Sequence, residues 1–216
     1  MNLHKELKMK QVNRPFLLAI TGGIASGKST VSHWFEQHNF TVYYADKIGH
    51  QILSDPSIIM QLTDTFRDRI TQGNSIDRAK LGEFVFSNPK KLEKLNSILH
   101  PAIRKRMQDL INQSTDKLLF FEIPLLFEGG LDKSFDLVIN VHVSLETQIQ
   151  RLIIRNGFSR KEAEQRINSQ LPAEIKMKQA DVNVDNNETL VQLRNQLEEL
   201  LNNLDSFSHK KVESLI

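Results

Sequence analysis

The run Gly22-Gly23-Ile24-Ala25-Ser26-Gly27-Lys28-Ser29-Thr30 carries the strongest chemical signal in the chain. It matches G-x-x-x-x-G-K-[ST], a spacing in which each residue type has a mechanical use. Glycines let the backbone turn tightly enough for successive amides to converge on phosphate oxygens, and a helix that follows adds its positive N-terminal end. Lys28 can reach β- and γ-phosphates, and the Ser29 hydroxyl suits Mg²⁺ bridging their oxygens. Average residue frequencies give this pattern roughly one chance in a hundred of arising by accident in a chain of this size. A glycine turn that merely joins strand to helix is the bland alternative, and a nucleoside triphosphate site is the stronger reading.

Such loops serve switches, motors and kinases alike, so other residues must decide the reaction. Asp46 follows a short apolar run, where it could orient or deprotonate an acceptor hydroxyl, hold Mg²⁺ through water, or simply cap a helix. Asp46-Lys47-Ile48-Gly49 also fits the D-x-x-G of GTPase switches, but no guanine-reading N-K-x-D accompanies it. Residues 151–178 hold seven Lys and Arg against three Glu, with Arg151 and Arg155 one turn apart on a helix face. They read either as a solvated charged helix pair or as a basic lid whose arginines stabilise charge on a transferring phosphoryl group. Glu122 ends an apolar run and could be a second acid at the metal, whereas Glu128 fits a surface cap or pair. His100, beside Pro101, is more often structural than ligating.

Alternating elements must position these groups. Apolar runs at 16–20, 41–44, 118–123, 137–143 and 182–184 have strand length, and helical periodicity follows them, as in Val31, Trp34 and Phe35. Ser144 opens one helix, and Ser159 with Glu162 forms a capping box for the next, across the mobile-looking Asn156-Gly157. Leu190, Leu193, Leu197, Leu200, Leu201 and Leu204 are expected to line the inner face of a last helix. Between 57 and 112 the pattern is helical, with a turn at Gln72-Gly73-Asn74 and a helix from Asn88-Pro89 that should bend or stop near His100-Pro101. This predicts an α/β fold: a doubly wound parallel sheet with a helical insertion and a helical lid.

Composition excludes whole classes. The chain has 216 residues, no cysteine and a net charge of +2. Disulfide frameworks, thiolate metal sites and cysteine nucleophiles are therefore absent, and the net charge does not suggest nucleic acid or an anionic membrane as a partner. No apolar run reaches the roughly 20 residues needed to span a bilayer. Residues 1–15 are polar and lack the apolar core of a secretory signal, so a cytoplasmic protein with a loose N-terminal tail is expected.

Taken in order, the markers resemble the dephospho-coenzyme A kinase family. They are residues 21–30, Ala45-Asp46, Arg78 with Leu81 and Val85-Phe86, and His100-Pro101. Ile123-Pro124-Leu125-Leu126-Phe127-Glu128, Gln148 with Arg151 and Arg155, Arg166 with Gln170, and Ala180-Asp181 with Asn186 complete the set. The resemblance implies that ATP, with Mg²⁺, phosphorylates the ribose 3′-hydroxyl of dephospho-CoA. By it Asp46 is the base, acting with Lys28 and Arg155. Gly23, Ala25, Ser26, Gly27, Lys28, Ser29, Thr30, Arg151 and Asn186 bind ATP, with Asn186 near the adenine. Arg78, His100, Glu122, Pro124 and Leu125 lie on the substrate side. The implied layout is a nucleotide core (16–56, 117–145, 179–204), a coenzyme-binding domain (57–116), a lid (146–178) and a C-terminal tail (205–216), in a monomer or weak oligomer. Two departures stand out. Ala25 replaces a usual glycine, which is tolerable if its φ is negative, and Tyr44 stands where the family often has Asp. The alternatives are another small-molecule or nucleoside monophosphate kinase of this loop class, and a non-catalytic nucleotide switch.

Overall fold

The computed structural model describes residues 14–73, 75–86, 88–210 and 212–215. Most of the expected N-terminal tail, Asn74 of the expected turn, and Lys211 and Ile216 of the expected C-terminal tail lie outside them. From β1 (Phe16–Gly22) the chain passes through α1 (Lys28–Gln37), β2 (Thr41–Tyr44), α2 (Ala45–Ile52), α3 (Pro56–Phe66) and a 3-10 turn at Arg67–Ile70. A short hairpin, β3 (Thr71–Gln72) and β4 (Ser75–Ile76), leads to α4 (Arg78–Phe86), α5 (Pro89–Gln113), β5 (Leu118–Glu122) and β6 (Leu137–His142). The chain ends with α6 (Leu145–Asn156), α7 (Arg160–Asn168), α8 (Ala173–Gln179), β7 (Val182–Asp185) and α9 (Leu190–Asn202).

These elements form two compact units: residues through Tyr43 with Ser114–Ser214, and Tyr44–Gln113 with Leu215. The first unit is built on a sheet of order β2-β5-β1-β6-β7. β1 runs parallel to β5 and β6, in a register that sets Ile20 beside Glu122 and Gly22 beside Val141, and β6 runs parallel to β7. Every residue of β1 is buried, as a strand covered on both faces requires. One face packs Phe16, Leu18 and Ile20 with Val31, Trp34 and Phe35 of α1 and Leu193, Leu197 and Leu201 of α9. Phe35 stacks on Phe120 at 4.2 Å between ring centroids. Strand order reverses direction about β1, so the turn after it opens at the switch point where open α/β sheets hold ligands.

Local sequence accounts for the helix boundaries in this unit. The Ser144 side chain accepts from the Thr147 amide, and Ser159 and Glu162 form the expected reciprocal box. Thr189 and Gln192 form a second box at the start of α9. Gly157 closes α6 at φ 69°, a left-handed cap rather than a loose link. Leu190 departs from the expected inner face: it is 57% exposed, because at the first residue of α9 it precedes the stripe that Leu193, Leu197, Leu200 and Leu201 bury.

The second unit gathers α2, α3, α4 and α5 around buried Ile58, Leu62, Phe66, Leu81, Val85, Leu95 and Met107. Instead of a plain turn between helices, 67–76 forms a 3-10 turn and the β3–β4 hairpin. Asn88 caps α5 by accepting from the amides of Lys90 and Lys91. Of the bend or stop expected near His100-Pro101, the stop does not occur: α5 runs through Pro101. Pro101 is exposed, so the carbonyl of Ser97 that loses its amide partner can turn to water.

Long-range closure of the first unit rests on Asp136, whose side chain is fully buried. It receives both terminal nitrogens of Arg14, at 2.6 and 2.7 Å, and the amides of Leu17 and Lys210. Burial pushes this carboxyl up, but the Arg14 fork and the two amides outweigh it and the net direction is down. A pKa lower in the folded than in the unfolded chain gives stability that is complete above about pH 4 and is lost as pH falls through the folded value. Asp136→Asn is therefore expected to lower the unfolding free energy in urea by about 3 kcal/mol near neutrality. The gap to the native chain should shrink in acid; a gap that stays constant with pH would remove the charge from this account.

Candidate functional site

The turn after β1 is shaped by positions that only glycine fills well. Gly22 and Gly27 take φ of 149° and 97°. A Cβ would stand 2.2 Å from the Val141 carbonyl oxygen at Gly22, and 2.1 Å from Asn186 Nδ2 at Gly27. Gly27 is the N-cap of α1, so Lys28, Ser29 and Thr30 form the first helical turn, with Ser29 and Thr30 exposed. Ala25 does not meet the condition set for it. Its φ is 59°, a left-handed conformation that costs an L-residue roughly 1–2 kcal/mol.

Each loop carbonyl from Gly22 to Ser26 is held by a donor. Lys28 Nζ donates to Gly22 and Gly23 at 3.0 and 2.9 Å. Gln148 of α6 donates to Ile24 at 2.7 Å, and Arg151 Nη1 to Ala25 and Ser26 at 3.2 Å each. Asn186, after β7, donates to Ser26 at 2.8 Å, and its own carbonyl accepts from Arg151 Nη2. On the donor side, Gln170 accepts from the Ile24 amide at 2.8 Å. The amides of Ala25, Gly27 and Ser29 meet no acceptor among the described residues. A turn whose carbonyls are claimed while amides beside a helix N-terminus stay open has the hydrogen-bonding balance that an anion requires.

Gln148 and Gln170 have roles that residue types alone did not reveal. The signal was present: Gln148 is only 6% exposed, a polar residue among Ile149 and Leu152 on the inner face of an amphipathic helix. The basic segment is also narrower in effect than its composition. Arg160 is paired with Glu146 and Glu164, Arg166 lies over the Phe158 ring, and Arg151 braces the loop. Lys176 is 1% exposed and sits 2.7 Å from Glu128, which also accepts from the Leu171 amide. Glu128 is thus a partly buried anchor for α8 rather than a surface pair. Burial pushes its carboxyl up, and Lys176 with the amide bonds more than offsets this, holding it low. Arg155 is exposed, with Nε on Asn156 Oδ1.

At the end of β5, Glu122 accepts from the buried Ser32 hydroxyl at 2.5 Å. The Pro124 carbonyl lies 3.4 Å from Thr21 Oγ1, and Leu125 is half exposed. Asp46, Arg78 and His100 belong to the other unit. Asp46 is exposed in the first turn of α2. It does not cap that helix, whose N-cap is Tyr44 with no side-chain bond. Arg78 Nη2 lies 3.1 Å from His50 Nε2. Desolvation first, then the charge of Arg104, hold the His100 imidazole below its ordinary pKa.

Among the described residues no group of three or more His, Asp or Glu could hold a metal. An ion at the loop would rely on the Ser29 hydroxyl, phosphate oxygens and water, a set that suits Mg²⁺, which sheds its waters reluctantly.

Residues 16–192 match the family model described as dephospho-CoA kinase. The chain is 44% identical over 183 residues to the dephospho-CoA kinase of Fusobacterium nucleatum, covering 84% of this chain and 95% of that one. It is 43% identical to that of Carboxydothermus hydrogenoformans, covering 84% and 90%. Among solved structures, TT1252 from Thermus thermophilus superposes with a TM-score of 0.78 at 31% identity, covering 89% of this chain and 99% of that one. Dephospho-CoA kinase from Campylobacter jejuni gives 0.68 at 29% identity, covering 88% and 97%. A shikimate kinase from Acinetobacter baumannii, at 12% identity and a TM-score of 0.52, shares the fold.

Ala25→Gly removes the left-handed strain and adds unfolded-chain entropy worth about 0.4–1 kcal/mol. The expected net is a gain of about 0.5–1 kcal/mol, read as a rise of roughly 1–4 °C in Tm. A fall in Tm would show that the Ala25 methyl contributes more through packing than its backbone costs.

Proposed function

The chain belongs to the dephospho-CoA kinase family, and from that premise we propose how its own residues carry the reaction. It is an ATP-dependent kinase that phosphorylates the ribose 3′-hydroxyl of dephospho-CoA, giving CoA and ADP, the last step of coenzyme A biosynthesis. The observation that supports this reading is the loop of residues 22–27, with its carbonyls from Gly22 to Ser26 donor-bound and the amides of Ala25 and Gly27 left without an acceptor among the described residues.

In this proposal the open amides of Ala25, Gly27 and Ser29 bind the β- and γ-phosphates, and Gly23, Ser26 and Thr30 shape the loop around them. Lys28 leaves the Gly22 and Gly23 carbonyls for phosphate oxygens. The gain is electrostatic and largest in the transition state, when charge spreads over the equatorial oxygens. Arg155, exposed and free of carboxylate partners among the described residues, supplies a second cation to those oxygens. Arg151 acts through the loop by fixing Ala25, Ser26 and Asn186, and Asn186 borders the adenine. Asp46 orients the acceptor hydroxyl and takes its proton. Arg78, His100, Glu122, Pro124 and Leu125 form the acceptor side. Mg²⁺, held by Ser29, neutralises charge between phosphate groups when bound.

The second unit serves as the coenzyme-binding domain and α6–α8 as the lid. We place the protein in the cytoplasm as a monomer or weak oligomer with ATP and dephospho-CoA as partners, and with neither nucleic acid nor membrane. No helix among the described residues is long and apolar enough to cross a membrane.

Release of ADP by purified protein with Mg²⁺-ATP should require dephospho-CoA; AMP, CMP and shikimate run in parallel separate this from other kinases of the loop class. Absence of phosphorylated product with dephospho-CoA would sink the assignment. Asp46→Asn should keep ATP affinity and lose about 10²–10⁴ in kcat. Near-normal turnover would take Asp46 out of the proton transfer.

A further inference from the structure

We infer that the helical unit carries a second anion site, separate from the phosphate loop, that takes a multiply phosphorylated small anion of diphosphate size or larger. The site is a cavity of about 570 Å³ between the 3-10 turn after α3, the end of α4 and the start of α5. Arg67, Arg69, Lys90, Lys91 and Lys94 line it together with Phe84, and among the described residues no acidic one does. None of these cations forms an ion pair with a described carboxylate. Elsewhere on the protein, by contrast, Arg14, Arg160, Lys176 and Lys210 are each paired.

Three further features concentrate positive potential in that space. Lys91 Nζ stands 3.4 Å from the Phe84 ring centroid, and the Arg69 guanidinium 5.9 Å from it, so one aromatic ring attracts both charges. The 25-residue α5 begins here at Pro89, so its positive end adds to the same field. Arg67 takes φ 60° and ψ −163°, a region populated almost only by glycine. Glycine there would relieve the strain but would remove a guanidinium from the cavity. Its strained backbone is therefore held where the side chain can serve a ligand.

The chemistry selects the ligand class. Planar guanidiniums can grip phosphate oxygens in pairs, and the ammonium groups act as point charges around them. The volume lies in the range of small-molecule sites, and so many like charges call for a ligand with several negative ones. The cavity is also apart from the acceptor residues of the same unit. Arg78 is the first residue of α4, and Phe84 lies about 9 Å farther along the helix axis.

The test is calorimetric titration of the full chain carrying Lys28→Met with inorganic tripolyphosphate, so that the loop does not dominate. Adding Lys91→Gln and Lys94→Gln should weaken binding about tenfold or more, and Lys91→Arg with Lys94→Arg should retain it. Binding should also fall as salt rises. In the otherwise native chain the Gln pair should leave KM for ATP and for dephospho-CoA within about twofold, which also shows that the variant is folded. Coenzyme A titrated in parallel distinguishes the sources: binding that tripolyphosphate alone shows points to a free polyphosphate, and equal or tighter binding of coenzyme A points to the diphosphate of a coenzyme. Tripolyphosphate affinity unchanged by the Gln pair would overturn the site. So would a dephospho-CoA KM that rises in step with the loss, because the cavity would then belong to the acceptor.

Discussion

A loop that must offer amides to an anion has to dispose of its carbonyls, and the first unit is organised around that requirement. Each carbonyl left facing the cradle would repel the phosphate it should hold. Here Lys28, Gln148, Arg151 and Asn186 take them from Gly22 through Ser26. The donors come from three stretches far apart in sequence: the loop's own helix, α6 and the segment after β7. The parallel sheet brings those stretches to one end of its strands. One buried cluster fixes α1 and α9 against β1, and a second, in which Ile149 and Leu152 of α6 pack with Ile24 and Ala25, keeps the α6 donors beside the loop.

The same logic divides labour among the arginines. Arg151, one turn before Arg155 on α6, spends its hydrogen bonds on the backbone of the loop and on Asn186. Arg155 carries its charge at the exposed side. The buried Lys176–Glu128 pair has a comparable structural role, tying α8 to the segment after β5. A segment that looks uniformly basic thus contains braces, paired surface charge and a small remainder able to meet a ligand.

Much of this was legible in the sequence because the causes are local. The loop motif, the strand lengths and the caps at Ser144 and Ser159 depend on residues within a few positions of one another. What escaped depends on distance or on context. Arg14 and Asp136 are 122 positions apart, and nothing near either predicts the other. Pro101 looked like a break because its local cost is real, yet its exposed position lets water and the rest of a 25-residue helix absorb it. Ala25 would sit without strain at negative φ, whereas in the loop it stands at 59°, which its residue type does not announce. Gln148 and Gln170 stood among the family markers, but their hold on Ile24 depends on a loop more than 120 positions away and could not be read locally.

Asp136 has a consequence for the order of assembly. Its partners flank it at long range: Arg14 and Leu17 lie 122 and 119 positions before it, and the Lys210 amide 74 positions after it. β1 likewise waits, since both of its neighbours, β5 and β6, lie more than ninety positions downstream. Contacts of such sequence separation form slowly and late. His209 also seats against the ring of Phe16, 5.1 Å between centroids, closing the first strand of the sheet with a residue made long after it. The phosphate-binding sequence is therefore made well before Gln148, Arg151 and Asn186, which lie 124, 126 and 160 positions downstream of the carbonyls they hold, and until then only Lys28 is at hand to hold its carbonyls.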